Sequence, residues 1–246
     1  MKKSSTSPIK LFVGTSANGE DAHAEITYEY SLRKHCSRDI DITWMRQSRD
    51  PSSPFFGWYT SMWATPFTAF RWAVPELCNF QGRAIFTDID MLNLYDIGEL
   101  YDMDMQGKPL LARFLKDHKR HEFSVMLMDC DKICDKIPPI ADMKQIPDIH
   151  QRLTRKFSGE KYTGHLDPSW NCLDGENLSI DEIKQLHFTF MNSQPWQPEW
   201  YTGTLSKHRR PELVELWERY HQEAIQQYGQ PEISYEAFGK YDIIGR

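Results

Sequence analysis

The sequence predicts an α/β fold, with a mostly parallel central sheet flanked by helices, from three segments near its start. Residues 9–13 read as a buried strand and are followed at 14–19 by turn-forming residues. The next segment begins with acids and ends with bases at 33–35, the charge order that the helix dipole favours. Residues 40–44 then alternate like a half-buried strand. Strand, helix and strand in this order form a βαβ unit, which implies parallel pairing with a right-handed crossover.

The middle of the chain continues this alternation. A loop rich in proline and serine at 49–54 leads into an aromatic segment that is predicted to become helical near Thr68 and to end near Asn79. Residues 84–87 then read as a strand, and 97–101 carry helical spacing. The residues between these two elements are therefore predicted to form a strand-to-helix connection.

The second half is predicted to complete the sheet and to add helices. We expect strands at 109–112 and 123–128, a mostly helical stretch at 142–157 and a polar loop at 164–171. Near the end, apolar residues recur at spacings of three and four and predict an amphipathic helix that packs on the main sheet. These residues are Leu213, Leu216, Trp217, Tyr220, Ala224 and Tyr228.

Composition excludes several classes of protein. The chain has 246 residues and a formal net charge of −6, which gives no electrostatic footprint for nucleic acid. No apolar run approaches the ~20 residues of a membrane span, and the polar residues 1–7 contain no apolar signal core. We therefore expect a cytoplasmic protein with no transmembrane segment and no nucleic-acid partner.

The cysteines indicate a reducing compartment rather than a disulfide framework, because their number is odd and their spacing matches no framework. Cys130 and Cys134 could lie one helical turn apart, but no second pair of Cys or His follows at zinc-finger spacing. We therefore interpret them as structural thiols. The five cysteines are Cys36, Cys78, Cys130, Cys134 and Cys172.

Two carboxylates follow directly on the strand predicted at 84–87. Asp88 and Asp90 are separated only by Ile89, and residues two apart in a strand point to one side. In open α/β sheets, ligands bind beyond the carboxyl ends of the strands. A cation that carries phosphates could therefore bind both acids, although a pair of acids in a surface turn has the same sequence.

Longer motifs around these aspartates resemble the central block of the family 8 glycosyltransferases. The block consists of Phe-Arg-Trp-Ala-Val-Pro-Glu-Leu at 70–77, Arg-Ala-Ile-Phe-Thr-Asp-Ile-Asp-Met at 83–91 and Asp-Ile-Gly-Glu-Leu-Tyr at 96–101. A second match, His187 followed by Pro195-Trp196, is similar to the end of the family's core. The resemblance covers roughly residues 9–200 and implies a GT-A type, Rossmann-like fold of nucleotide-diphospho-sugar transferases.

The resemblance implies one metal site built from Asp88, Asp90 and His187. Carboxylate oxygens with one imidazole suit Mn²⁺ better than Mg²⁺, which prefers oxygen ligands alone, so Mn²⁺ is the expected cofactor and Mg²⁺ the alternative. Upstream, Arg71 is expected to offer its guanidinium fork to phosphate or sugar hydroxyls. An ion pair with Glu76 is the structural alternative for this arginine.

The nucleotide is expected at the first turn after the first strand, beside residues of the metal motif. This turn has no Gly-x-Gly-x-x-Gly fingerprint, and Thr15 or Ser16 stands where the family usually has an aspartate. Near Trp196, Gln194 takes the place of the family's lysine, and Phe190 takes the place of its glycine. The residues expected to bind the donor are Gly14, Thr15, Ser16, Asn18, Arg71, Asp88, Ile89 and Gln194.

Asn171 and Asp174 resemble the loop in which the family carries an amide and an acid near the reacting sugar. Retaining transfer needs a group beneath the anomeric carbon, either to form a covalent intermediate or to stabilise an oxocarbenium-like state. These two residues and Arg71 are therefore the candidate catalytic residues. A plain turn at Asp174-Gly175 is the alternative.

The resemblance implies a metal-dependent, retaining glycosyltransferase that moves a hexose from a nucleotide-diphosphate sugar to a sugar or other hydroxyl acceptor. The expected donor is linked to UDP. We expect one domain over 1–246, with nucleotide binding at about 8–105 and the acceptor side at about 106–246. A catalytically silent carbohydrate- or nucleotide-binding protein and a sugar nucleotidyltransferase are the alternatives. The latter normally has a basic, glycine-rich first loop, whereas residues 14–20 contain no Lys or Arg.

Overall fold

The computed structural model describes residues 7–116, 118–196 and 204–231. Both ends of the predicted domain (1 and 246) and the C-terminal end of the family resemblance (200) lie outside these ranges. The described strands are β1 (Ile9–Gly14), β2 (Ile40–Met45), β3 (Arg83–Asp88), β4 (Met91–Asn93), β5 (Leu110–Leu115), β6 (Arg120–Asp129), β7 (Thr163–His165), β8 (Cys172–Leu173) and β9 (Gln185–His187). The described α-helices are α1 (Ala22–His35), α2 (Val74–Leu77), α3 (Ile97–Tyr101), α4 (Cys130–Ile133), α5 (Ile140–Met143), α6 (Ile149–Phe157) and α7 (Pro211–Tyr228).

Six strands form the central sheet in the order β2-β1-β3-β6-β5-β7. Strand β1 pairs in parallel with β2 and β3, and β5 pairs in parallel with β7, whereas β6 runs antiparallel to both of its neighbours. The predicted α/β fold with a mostly parallel sheet is therefore confirmed. The remaining strands form a small sheet in the order β4-β9-β8.

The predicted βαβ unit is present at the start of the chain. Strands β1 and β2 pair in parallel from Ile9 opposite Ile40 to Gly14 opposite Met45, with α1 between them. Helix α1 begins later than its acidic start suggested, because Asp21 is the residue before its first turn. Apart from the half-buried Lys10, the side chains of β1 are apolar and buried, as in a strand covered on both faces.

Residues 70–77 combine a 3₁₀ turn, Phe70–Ala73, with the short helix α2. Pro75 lies in the first turn of α2, where a missing amide hydrogen costs nothing. The helical stretch ends where Asn79 and Phe80 both adopt φ of 53°, the left-handed region that cannot continue a helix. The predicted end near Asn79 is therefore confirmed.

The two aspartates are not followed directly by a helix, contrary to the sequence-based prediction. Strand β4 intervenes and pairs antiparallel with β9, so that Met91 lies opposite His187. The hydroxyl of Tyr28 on α1 lies 3.1 Å from Thr87 Oγ1 of β3 and 3.2 Å from Gln185 Oε1 of β9. These buried contacts hold the small sheet against the end of β3.

Two further predictions need correction. The predicted polar loop at 164–171 contains part of the edge strand β7 and a 3₁₀ turn, Pro168–Asn171. The C-terminal amphipathic helix is present as α7, but its main neighbour is helix α1 rather than the sheet. Tyr30 and Tyr220 pack edge to face across this interface, with ring centroids 6.2 Å apart. Among the described residues, no helix is long and apolar enough to cross a membrane.

Candidate functional site

The site is built where β3 ends and the small sheet begins. Asp88 is the last residue of β3, Asp90 lies between β3 and β4, and His187 is the last residue of β9. The Phe188 amide donates to the Asp90 carbonyl at 2.8 Å, which extends the β4–β9 pairing. This pairing brings His187 Nε2 to 3.3 Å from Asp90 Oδ1.

A second contact holds the ring of His187 on its other side. His187 Nδ1 lies 2.9 Å from the side-chain oxygen of Asn171. Because an amide oxygen only accepts hydrogen bonds, Nδ1 carries a hydrogen and Nε2 is directed at Asp90. Burial by itself lowers the pKa of His187, but the charges of Asp90 and Glu122 outweigh it and raise this pKa to about 9.

Asp88 is held by a buried ion pair with Arg71. Arg71 Nη2 donates to both carboxylate oxygens, at 2.9 and 3.1 Å. The rest of the guanidinium bonds to the backbone, through Nε to Thr68 O at 2.8 Å and through Nη1 to Phe123 O at 2.7 Å. Arg71 therefore contacts the metal motif directly, and Glu76, its expected alternative partner, instead accepts from a backbone amide in α5.

The pKa of Asp88 reflects competing effects. Burial raises it, the guanidinium of Arg71 lowers it, and the negative charge of Asp90 raises it again, to about 6. The carboxylate is therefore mostly ionised at neutral pH. Each carboxylate oxygen has a second lone pair that the Arg71 contact does not need.

The described residues meet part of the requirement for a cation. Asp90 Oδ1 is buried without a hydrogen-bond partner and faces the imidazole of His187, an arrangement that suits a metal with oxygen and nitrogen ligands. Within the described ranges, however, no three acid, His or Cys side chains are grouped closely enough to hold a metal ion. Asp90 and His187 are brought together, while Asp88 is directed into Arg71.

The side chains of the first turn are bonded to acids that lie in α1 or just before it. Thr15 Oγ1 donates to Glu25 at 2.7 Å, and Asn18 Nδ2 donates to Glu20 at 2.7 Å. The Ser16 hydroxyl also bonds to Glu20. Three of the expected donor-binding residues therefore lie together at the end of β1, where their polar side chains are engaged by carboxylates.

Asp21 folds back under this turn, which no sequence motif indicated. Its carboxylate accepts from the Ser16 amide at 3.1 Å and lies 3.4 Å from Thr15 Oγ1. Burial and the neighbouring charge of Glu20 raise the pKa of Asp21 to about 7, although the bond from Ser16 lowers it. A carboxyl group thus reaches the first turn from the start of α1.

A cavity of about 50 Å³ joins the first turn to the metal motif. Its acidic lining residues are Glu20, Asp21 and Asp90, and none of the described lining residues is Lys or Arg. Gln194, also in the lining, donates its side-chain amide to Phe188 O at 2.8 Å. The remaining lining residues are Ser16, Ala64, Thr65, Pro66, Phe67, Ile89, Met191 and Trp196.

Asp174 lies beside His187 in the small sheet, but its side chain points elsewhere. The backbone amide of Asp174 donates to His187 O at 3.0 Å. Its carboxylate accepts from Thr189 Oγ1 at 2.6 Å and contacts His208 Nε2 at 3.1 Å. The side chain has no exposed surface, so the structure groups Asn171, but not the Asp174 carboxylate, with the metal motif.

Glu122 is a residue of the site that sequence reasoning missed. Its carboxylate accepts from the amide and hydroxyl of Ser124, at 3.0 and 2.5 Å. Burial raises the pKa of Glu122, but Ser124, His187 and Arg71 together lower it below its usual range. The only sequence signal was an acid directly before the strand predicted at 123–128.

Comparison with known proteins identifies the fold. No family model matches the chain. Protein CDI of Arabidopsis thaliana is 24% identical in an alignment of 236 residues that covers 85% of each chain, and its name states no activity.

Three solved structures share the architecture. The glycosyltransferase GlyE of Streptococcus pneumoniae is 14% identical, with a TM-score of 0.60 over 92% of this chain and 65% of that one. The galactosyltransferase LgtC, solved with donor and acceptor sugar analogues, is 12% identical, with a TM-score of 0.58 over 87% and 96%. The bifunctional glycosyltransferase WbbM is 12% identical, with a TM-score of 0.58, and the chain spans only 53% of it. This chain therefore has the GT-A type fold of glycosyltransferases.

Proposed function

We propose that this chain is a metal-dependent, retaining glycosyltransferase. It moves a hexose from a nucleotide-diphosphate sugar to a hydroxyl group of a sugar or other acceptor. A UDP-linked sugar is the first candidate for the donor. The observation that carries the proposal is the contact between Asp90 and His187, in which a buried carboxylate oxygen without a hydrogen bond faces an imidazole. This contact lies beyond the carboxyl end of β3, where sheets of this kind bind ligands.

Asp90 and His187 would hold the cation, and Asp88 would join them through the lone pairs that Arg71 leaves free. This mixed set of ligands favours Mn²⁺, with Mg²⁺ as the alternative. A bound cation would neutralise the negative charge that develops on the departing nucleoside diphosphate. Arg71 acts in this proposal by orienting Asp88, because all three of its nitrogens already bond within the protein.

The nucleotide would bind at the first turn, within the part of the domain at about 8–105. Its ribose and base would meet Thr15 and Ser16, and Asp21 would provide the acid that the sequence lacks directly after β1. Burial of Asp21 supports this role, since a buried carboxyl group of raised pKa gains from a ligand that donates hydrogen bonds to it.

The acceptor would bind on the side formed by residues 106–246. Asn171 and Asp174 remain the candidates for supporting the reacting sugar, and retention requires the acceptor oxygen to approach on the side of the leaving group or after a covalent intermediate. The contact of Asn171 with His187 supports a role in orienting the imidazole. The enclosed carboxylate of Asp174 supports a positioning role for that residue.

A thermal-shift screen of nucleotide sugars with and without Mn²⁺ tests the proposal. A ligand at a hundred times its Kd stabilises a protein by about 2.7 kcal/mol, so one donor together with Mn²⁺ should raise the Tm clearly. Release of free nucleoside diphosphate from that donor should then require both Asp90 and His187. Full activity of Asp90→Asn would contradict the proposal, and Asp142→Asn, an exposed acid of α5, is the matched control.

One observation favours a second function, a catalytically silent protein that binds sugar nucleotides. The described lining of the acidic cavity contains no Lys or Arg, and Gln194 is bonded to Phe188 O where the resembled family has a lysine. Calorimetry separates the two functions. The silent protein binds a sugar nucleotide without ever releasing nucleoside diphosphate, whereas the enzyme releases it when an acceptor is added.

A further inference from the structure

Two buried cysteines that no motif connects lie in contact at the end of the sheet opposite the acidic cavity. Cys78 directly follows α2, and Cys130 is the first residue of α4. Helices α2 and α4 pack together, which brings the two buried thiols close enough to shift each other's pKa, and no disulfide joins them. The sequence allowed Cys130 and Cys134 to lie one helical turn apart and predicted structural thiols; Cys130 is buried, whereas Cys134 is exposed.

A second cavity leads to this pair. It has a volume of about 270 Å³ and includes Cys78 and Lys10 in its lining. It shares no lining residue with the acidic cavity around Asp90. Its other lining residues are Phe12, Asp41, Thr43, Pro54, Phe55, Leu77. The cavity therefore gives a small solute a route to Cys78 that does not pass through the acidic cavity.

The surroundings of Cys78 favour its thiolate, which is the reactive form of cysteine. The hydrogen bond from Cys130 lowers the pKa of Cys78, burial opposes this effect, and the positive charge of Lys10 adds to it, so that the net shift is downward. Cys130 shifts in the opposite direction, because its hydrogen bond to Cys78 and its burial raise its pKa. Since Cys78 lines the cavity and Cys130 does not, Cys78 is the attacking cysteine and Cys130 its protonated partner.

We propose that Cys78 and Cys130 form an oxidisable dithiol that reacts with hydrogen peroxide entering through the cavity lined by Lys10 and Cys78. The Cys78 sulfur attacks one peroxide oxygen, the O–O bond breaks, and water leaves after the second oxygen takes a proton. The Cys130 sulfur then attacks the Cys78 sulfenic acid, the S–S bond forms, and the S–O bond breaks to release a second water that carries the Cys130 proton. Two thiols are oxidised and one peroxide is reduced to two waters.

The disulfide would connect α2 to α4. Because α2 continues the 3₁₀ turn that carries Arg71, the bond would restrain the segment that supports Asp88. A disulfide between residues 78 and 130 would close a long loop and so constrain the unfolded chain. The oxidised protein should therefore unfold at a higher temperature than the reduced one. A reducing agent should reverse the shift.

Peroxide treatment of the full chain, followed by alkylation of the remaining thiols and peptide mapping, tests this inference. We expect two fewer alkylated cysteines than the five of the reduced chain and a cross-linked peptide that contains Cys78 and Cys130. The Cys134→Ser variant should give the same cross-link. In Cys130→Ser, Cys78 should stop at the sulfenic acid and be captured by a dimedone probe.

Two results would overturn the inference. One is a peroxide-treated chain in which Cys78 and Cys130 both stay alkylatable while the exposed Cys134 is oxidised. The other is a cross-link that joins Cys134 to Cys78 or to Cys130. Both are read from the unmodified sequence, so the outcome does not depend on whether a Cys→Ser variant folds. Neither depends on sugar transfer.

Discussion

Arg71 Nη2 lies 2.9 Å and 3.1 Å from the two carboxylate oxygens of Asp88, and both residues are buried. The same guanidinium bonds to the backbone of Thr68 and Phe123. One side chain therefore connects a 3₁₀ turn, the end of β3 and strand β6. Since removal of water from both charges is costly, each of them depends on the other for compensation.

Replacing one partner of this buried pair should lower the free energy of unfolding far more than breaking an exposed ion pair would. We expect Arg71→Ala to lower the free energy of unfolding by about 3–5 kcal/mol, because the buried carboxylate of Asp88 loses its counter-charge. Urea denaturation at pH 7.5 measures the loss. Adding Asp88→Asn to this variant should restore part of the stability, since it removes the uncompensated charge.

An exposed ion pair provides the matched control. Arg33 contacts Glu29 at 2.8 Å one helical turn away, but both side chains are partly in solvent. Such pairs contribute about 0.3–0.5 kcal/mol, so Arg33→Ala should be nearly neutral. A loss in Arg71→Ala as small as that of Arg33→Ala would show that the Arg71–Asp88 pair does not stabilise the fold.

The stability of the metal-free protein should fall as pH rises from about 6.5 to 9. The folded-state pKa of His187 is raised from 6.5 to about 9, mainly because the charge of Asp90 outweighs burial. A raised pKa means that the folded state binds the proton more tightly, so the contribution is complete below pH 6.5 and is lost above 9. Its size is on the order of 3 kcal/mol.

Chemical denaturation between pH 6 and 9.5 checks this dependence, with His187→Gln as the reference. The variant should lack the decline that belongs to His187 while keeping the contributions of Asp88 and Asp21. Those two contributions have the same sign but are lost at lower pH, because the raised pKa values are about 6 for Asp88 and about 7 for Asp21. Identical pH profiles above pH 7 in the two proteins would rule out a protonated His187.

The part of the candidate site that local patterns encode could be predicted from the residues themselves, whereas His187, which depends on distant pairing, was predicted only through the family resemblance. Asp88 is the last residue of β3, and the apolar run before it indicates this buried strand directly. The position of His187 opposite Met91 depends on antiparallel pairing between β4 and β9, and no local signal indicates which short strands will pair. Glu122 and the folding back of Asp21 likewise depend on the tertiary structure.

Binding of Mn²⁺ should release a proton. His187 is protonated in the metal-free protein at pH 7.5, and only neutral imidazole binds a metal. Titration calorimetry in buffers of different ionisation enthalpy should give about one proton released per ion, and the apparent affinity should rise about tenfold per pH unit below the pKa. Binding without proton release would show that the ion does not use His187.

Removing the support of His187 should weaken metal binding without removing a ligand. Asn171 Oδ1 lies 2.9 Å from His187 Nδ1, and loss of such a partner typically costs 10–100-fold in metal affinity. We expect this loss of Mn²⁺ affinity in Asn171→Ala, and a smaller one in Asn171→Asp, which keeps an acceptor oxygen. An unchanged affinity in Asn171→Ala would mean that the amide does not orient the imidazole.

A methyl group at Gly14 should disturb the acidic cavity by displacing Phe67, one of its lining residues. A Cβ at this position would lie 2.6 Å from Phe67 Cδ2, and Phe67 lines the acidic cavity. The buried Phe67 ring would have to move, which typically costs about 1–3 kcal/mol in a packed core.

Gly14→Ala should therefore lower both the Tm and the affinity for the donor nucleotide. Gly159→Ala is the matched control, since its Cβ meets no atom within 4 Å. Differential scanning calorimetry and nucleotide titration of the two variants measure the effects. If Gly14→Ala binds nucleotide as tightly as Gly159→Ala, the first turn is not part of the donor site.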